Sequence, residues 1–241
     1  MRIPFALRRW RRQVWGLPLL AALSGCTASL EPIQVSEGCP ERPLREPLEW
    51  EDSPSERLID DFEDGDLQIA TVSERDGAWI RGTDSSGVLL WENSSRCAAR
   101  GEHAGHFTGA GFTEWGANWT AVFKQDQGGT AVAYDGTAYS AISFFAAVGP
   151  SAEPPFVVPM GLTTMDVAWN GGVCSGGCMD FYRTNVTLSR EWQRIVMPFS
   201  DLAQAGVGDP LTDLRVDELV GFIIWPTHRF NVWIDDVRFE P

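Results

Sequence analysis

The sequence predicts an all-β protein, an antiparallel β-sandwich of jelly-roll type, on three observations. From Leu58 onward, short apolar or alternating runs follow one another, each closed by Gly, Asp, Asn, Ser or Pro. No stretch sustains the 3.6-residue apolar repeat of an amphipathic helix. Ten or so such runs with no helix between them favour two packed antiparallel sheets over a parallel α/β arrangement.

The runs follow in order. Leu58 to Glu63 opens the domain and ends in an acidic turn. Gly87 to Glu92, Gly105 to Thr108 and Thr120 to Phe123 are short and bounded by Gly, Ser or Asn. Ser140 to Val148 and Phe156 to Val167 follow as further candidate strands. Thr184 to Leu188 and Gln193 to Pro198 flank a polar break, and Trp192, Ile195 and Met197 give the second of these an inward side. Asp201 to Ala205 is at most one helical turn. Leu219 to Trp225 and Arg229 to Phe239 close the chain.

Ahead of the sandwich lies a different composition. Arg2, Arg8, Arg9, Arg11 and Arg12 precede an apolar run, Val14 to Ala22, that is too short to span a bilayer as a lasting helix, so residues 1–25 read as an export signal. The tetrapeptide Leu23-Ser24-Gly25-Cys26 resembles the lipobox of bacterial lipoproteins, which implies acylation of the Cys26 thiol and a lipid anchor. The competing reading is an ordinary cleavable signal whose cysteine pairs in a disulfide. Residues 26–57, rich in Pro, Glu and Ser, read as the anchor and a solvated linker, and 58–241 as the sandwich. The expected location is the cell envelope, and Thr27 rather than an acidic residue behind Cys26 leans towards the outer membrane.

Charge narrows the partners. The whole chain carries a formal −14, and beyond Cys26 all 33 acidic residues remain while five arginines are left behind. So acidic a surface repels nucleic-acid backbones and favours divalent cations and neutral ligands. Cys39, Cys97, Cys174 and Cys178 are four cysteines in an exported chain, which points to disulfides with three connectivities open. Ser175, Gly176 and Gly177 make a turn flexible enough to join Cys174 to Cys178, leaving Cys39 with Cys97; zinc is the competing reading, disfavoured because no histidine is close by.

Five segments then carry a family likeness: LIDDFEDGD (Leu58 to Asp66), GFTEWGANW (Gly111 to Trp119), YDGTAYSAISFFA (Tyr134 to Ala146), REWQRIVMPFSDL (Arg190 to Leu202) and FNVWIDDVRF (Phe230 to Phe239). In order and spacing, residues 58 to 240 resemble a galactose-binding-like β-sandwich, and more narrowly carbohydrate-binding module family 11. The resemblance implies that first and last strands are neighbours and that a structural calcium sits where their acidic residues meet. Strand alternation lets only some of Asp60, Asp61, Glu63, Asp64, Asp66, Asp235 and Asp236 share a face, and Glu63, Asp66 and Asp235 are the expected ligands, with Asp61 in reserve. Solvated edge charges that discourage strand pairing are the alternative.

Nine of the eleven tryptophans lie beyond the signal region. Trp192 and Trp233 sit in alternating runs and read as core. Trp79, Trp115, Trp119, Trp169 and Trp225 adjoin Gly, Asn, Asp or Pro, near strand ends or loops, where flat rings suit stacking on the apolar face of a pyranose; packing in the core is the alternative for each, and Trp79, Trp115, Trp169 and Trp225 are the expected ligand contacts. His103, His106 and His228 are the only histidines, and no GxSxG, CxxC or HExxH occurs. A glycosidase's carboxylate pair is not excluded by counting, but the acidic pairs cluster at strand ends. The expectation is a membrane-tethered, non-catalytic module for a neutral polysaccharide or glycan, with an adaptor for an envelope protein partner, or a hydrolase subunit, as the alternatives.

Overall fold

The computed structural model describes residues 38–41, 55–168, 172–174, 178–208, 210–211 and 213–241. Eleven strands make two antiparallel sheets: β1 Leu58–Asp60, β2 Trp79–Thr83, β3 Val88–Ser94, β4 Ala104–Ala110, β5 Ala117–Val122, β6 Ala141–Val148, β7 Val157–Thr164, β8 Tyr182–Thr187, β9 Gln193–Pro198, β10 Leu219–Ile224 and β11 Phe230–Glu240. The six-stranded sheet runs β3-β4-β11-β6-β9, with β1 also on β11, and the five-stranded sheet runs β2-β5-β10-β7-β8. The all-β sandwich expectation holds, and the first strand does pair with the last.

The ten anticipated runs correspond to ten of these strands. Missed was β2, whose five residues Trp-Ile-Arg-Gly-Thr carry a glycine at the fourth and too little alternation to register. The anticipated helical turn falls slightly earlier, as a 3-10 turn at Phe199–Asp201.

Period-two alternation decides which side chains meet between the sheets. On β5, Ala117, Trp119 and Ala121 enter the main core while Asn118, Thr120 and Val122 face outward. On β11, Val232 and Ile234 point inward; Asp236, in left-handed backbone at φ 48°, makes a bulge, and the register shift there returns Val237 and Phe239 to the core. An aromatic cluster fills the interior. Trp119 lies 4.3 Å from Trp79, 5.5 Å from Phe107 and 6.1 Å from Phe62, centroid to centroid.

A second, smaller apolar layer covers the outer face of the six-stranded sheet. Trp233 stacks on His106 at 3.8 Å with rings 10° apart, and Cys97, Phe145 and Trp192 pack around it. Both anticipated disulfides are present, Cys39–Cys97 with Cα atoms 5.5 Å apart and Cys174–Cys178 with 5.7 Å. The first clips Cys39 onto this layer. Trp119→Ala, which empties the centre of the inter-sheet cluster, is expected to cost about 3–5 kcal/mol and to lower the melting temperature by roughly 10 °C or more, read by circular dichroism.

Candidate functional site

The outward residues of the five-stranded sheet floor a groove of about 700 Å³. Ile80 from β2, Asn118, Thr120 and Val122 from β5, Thr163 from β7, and Val220 and Ile223 from β10 supply the floor. Ala131 and Ala168 close one side by packing on Val122 and Val220. Met179, next to the Cys174–Cys178 disulfide, closes another side, in a cluster with Phe181, Ile223 and Trp225.

Trp115 and Trp225 meet at one end. Their rings are edge to face, 5.6 Å apart and 79° to one another, and the Trp225 Nε1–H donates to the Trp115 carbonyl at 2.8 Å. Behind Trp225, Phe181 stacks at 5.3 Å and 11°. Trp115 is the exposed member, at 38%. No carboxylate or histidine is among the described residues that line the groove; its polar residues are Arg81, Thr83, Asn118, Thr120 and Thr163. Thr163 donates to the Gly221 carbonyl, and the Arg81 guanidinium lies 3.6 Å over the Trp91 ring, capping the open edge between the sheets.

Two carboxylates hold the walls in place. Asp84 accepts from the amides of Ser86, Glu114 and Gly116 and from the Ser86 hydroxyl, which ties the loop bearing Trp115 to the end of β2. Desolvation would raise its pKa, but these donors outweigh it and hold the carboxyl at about 2. Gly116 turns the chain at φ 88°, where a Cβ would stand 2.5 Å from the Pro226 carbonyl oxygen. Asp180, fully buried, accepts from four successive amides, Ala205 to Gly208, at 2.9 to 3.2 Å. Burial pushes that carboxyl up and the four amides more than reverse it, leaving its pKa lowered.

Of the four tryptophans expected to contact ligand, Trp115 and Trp225 come together at the groove. Trp79 does not: it is 4% exposed, lies in the inter-sheet cluster and donates its Nε1–H to Asp60 at 2.7 Å. Its neighbours Gly77 and Asp76 suggested a loop, but the alternation of β2 turns its ring inward. Trp169, like Cys26, lies outside the described residues.

The three expected calcium ligands do not converge. Glu63 Oε1 accepts from the amides of Glu102 and His103, Asp66 Oδ1 from the amide of Gln68, and Asp235 Oδ2 from those of Ala99 and Arg100. Asp61, the reserve, accepts from the amide of Glu63. Beside Asp235, the Asp236 carboxylate takes the guanidinium groups of both Arg100 and Arg238. Among the described residues no three His, Cys, Asp or Glu side chains are grouped to hold a metal ion. Backbone N–H groups and two arginines occupy the acidic junction, a donor set that does not suit calcium, which needs oxygen ligands.

No family model matches the chain, and no curated protein matches it. Solved structures do. The chain is similar to the family 11 carbohydrate-binding module of the cellulosomal cellulase Lic26A-Cel5E of Clostridium thermocellum, at 16% identity and a TM-score of 0.52, over 78% of this chain and 95% of that one. It is also similar to a family 11 module from Clostridium thermocellum in complex with a β-1,3-1,4-mixed-linked tetrasaccharide, at 16% identity and a TM-score of 0.51, over 76% and 94%. The fold is a carbohydrate-binding-module-like β-sandwich. At this identity the likeness speaks for the fold, and the use of the groove has to be argued from its own residues.

Sequence reasoning passed over Asp84 and Asp180. The Asp-Ser-Ser run at 84–86 carried a signal, since an aspartate capping the amide two residues on is a common turn. Asp180 carried none, because the amides it holds lie 25 to 28 residues away.

Asp180→Ala takes the acceptor from four part-buried amides and is expected to cost about 2–3 kcal/mol, lowering the melting temperature by roughly 5–10 °C. Because the folded-state pKa is lowered, this stabilisation is complete above the unfolded value of about 4 and fades as pH falls below it. Thermal melts from pH 5 down to pH 2 are therefore expected to fall more steeply for the wild type than for Asp180→Asn. Chelation of divalent cations is expected to leave the melting temperature unchanged, whereas Arg100→Gln lowers it, both measured by calorimetry.

Proposed function

We propose that the protein is a non-catalytic glycan-binding lipoprotein, anchored through Cys26 in the cell envelope, whose groove holds a neutral polysaccharide or glycan. The observation that carries this reading is the groove itself: an open trough on a sheet face, with an exposed Trp115 against a half-buried Trp225 at one end and uncharged hydrogen-bonding side chains, Asn118 and Thr120, in its floor. A pyranose offers an apolar face to an indole ring and hydroxyls to amide and hydroxyl groups. The absence of carboxylates among the described lining residues supports binding over hydrolysis, since a glycosidase sets two of them across its cleft.

A second reading has its own support. Ile80, Val122, Val220, Ile223 and Met179 make much of the lining aliphatic, which also suits an apolar segment of an envelope protein partner.

Burying one ring against a sugar is worth about 1.5–3 kcal/mol. After ordering costs, two such contacts give micromolar to millimolar affinity. Titration with soluble β-glucans, xylans, mannans and host-type glycans, followed by tryptophan fluorescence, is expected to show saturable binding of that strength to one class. Trp115→Ala is expected to weaken it about tenfold or more with little change in melting temperature. Absence of saturable binding to every polysaccharide would reject the glycan reading in favour of the protein-partner one.

A further inference from the structure

The Cys39–Cys97 disulfide and the groove sit on opposite faces of the sandwich. Cys97 packs with Phe145, Trp192 and Trp233 on the outer face of the six-stranded sheet, and its disulfide holds Cys39 there. The adjoining chain is fastened as well: the Glu41 amide donates to the Arg190 carbonyl at 2.7 Å, and Glu41 forms a parallel bridge with Glu191 ahead of β9. The groove is built on the outer face of the five-stranded sheet, with the full thickness of both sheets between the two.

The disulfide also shortens the lead. Fully extended, the stretch from Cys26 to Cys39 reaches at most about 45 Å, against about 100 Å from Cys26 to Ser55, where the described chain resumes. The face it fixes suits an anionic bilayer better than the chain's overall charge suggests. There Arg96 pairs with Glu92 at 2.9 Å, Arg100 with Asp236 at 2.8 Å and Arg194 with Glu240 at 2.8 Å, so three of its carboxylates are matched by guanidinium groups in a chain of net charge −14. Local balance of this kind lowers the repulsion from lipid phosphates within a Debye length of about 8 Å.

We propose that the outer face of the six-stranded sheet is the surface this protein turns towards the lipid bilayer, and that the Cys39–Cys97 disulfide sets this orientation so that the groove faces away from the membrane. The proposal rests on the lipid anchor at Cys26, and its partner is a lipid surface.

The test uses the full lipidated chain in phosphatidylethanolamine–phosphatidylglycerol vesicles that carry an acceptor dye on the headgroups. A donor dye is placed at Glu114→Cys, on the groove rim, or at Val196→Cys, exposed on the six-stranded sheet, after peptide mapping shows both native disulfides intact. Energy transfer from position 196 is expected to exceed that from position 114 several-fold. In the Cys39→Ser, Cys97→Ser background the difference is expected to collapse. Equal transfer from the two positions, or more from 114, overturns the proposal while leaving the anchor standing. A several-fold difference that persists without the disulfide overturns the role assigned to the disulfide. Failure of the wild-type chain to partition with vesicles is a different result, which removes the anchor and the proposal together. Should the double variant not fold, the two labels in the native-disulfide background still decide the orientation.

Discussion

Burial of Trp119 between the sheets is the constraint from which the groove follows. A ring of that size, packed against Trp79, Phe107 and Phe62, fits only on the inner face of β5. That choice sends Asn118, Thr120 and Val122 to the opposite face, because strand side chains alternate strictly and a slip of one residue would exchange the two sets. Cross-strand partners obey the same register: Ile80 and Ile223 both pair with Thr120 and so flank it on the outer face. The chemistry of the floor is therefore the complement of the core, residue by residue.

The architecture was largely legible in the sequence because strand alternation and turn residues are local signals. Ten of eleven strands showed as runs, and the Ser-Gly-Gly turn between Cys174 and Cys178 identified one disulfide and thereby the other. Which tryptophans face a ligand was less legible. Trp79 and Trp225 both adjoin turn residues, yet one lies on the inner side of β2 and the other just past β10 on the outer side. Parity within a strand decides that, and parity is lost when a strand as short as β2 goes unseen. The calcium expectation came from acidic residues at both chain ends and from family likeness. Sequence could place those residues near one another, but it could not show that Glu102, His103, Ala99 and Arg100 would bring N–H groups to meet them.

The acidic composition has a structural explanation in this fold. An all-β chain with many irregular connections leaves many loop amides without ladder partners, and each needs an acceptor. Aspartates supply it repeatedly: Asp60 to Phe62, Asp66 to Gln68, Asp84 to Ser86, Asp126 to Gly128 and Asp135 to Thr137, each capping the amide two residues on. Asp180 extends the same device across the chain. The charge that biases the partners is thus in good part a by-product of how the turns are built.

Asp180 grips the 205–208 segment by backbone amides alone, and Val207 within it is 74% exposed. A loop fastened through its main chain places no demand on what its outward side chains are. Substitution at position 207 can then proceed at little energetic expense while the wall carrying Phe181 and Trp225 stays in register. The fold has set aside a patch beside the groove where new surface chemistry can be tried, generation after generation, without disturbing the sandwich beneath it.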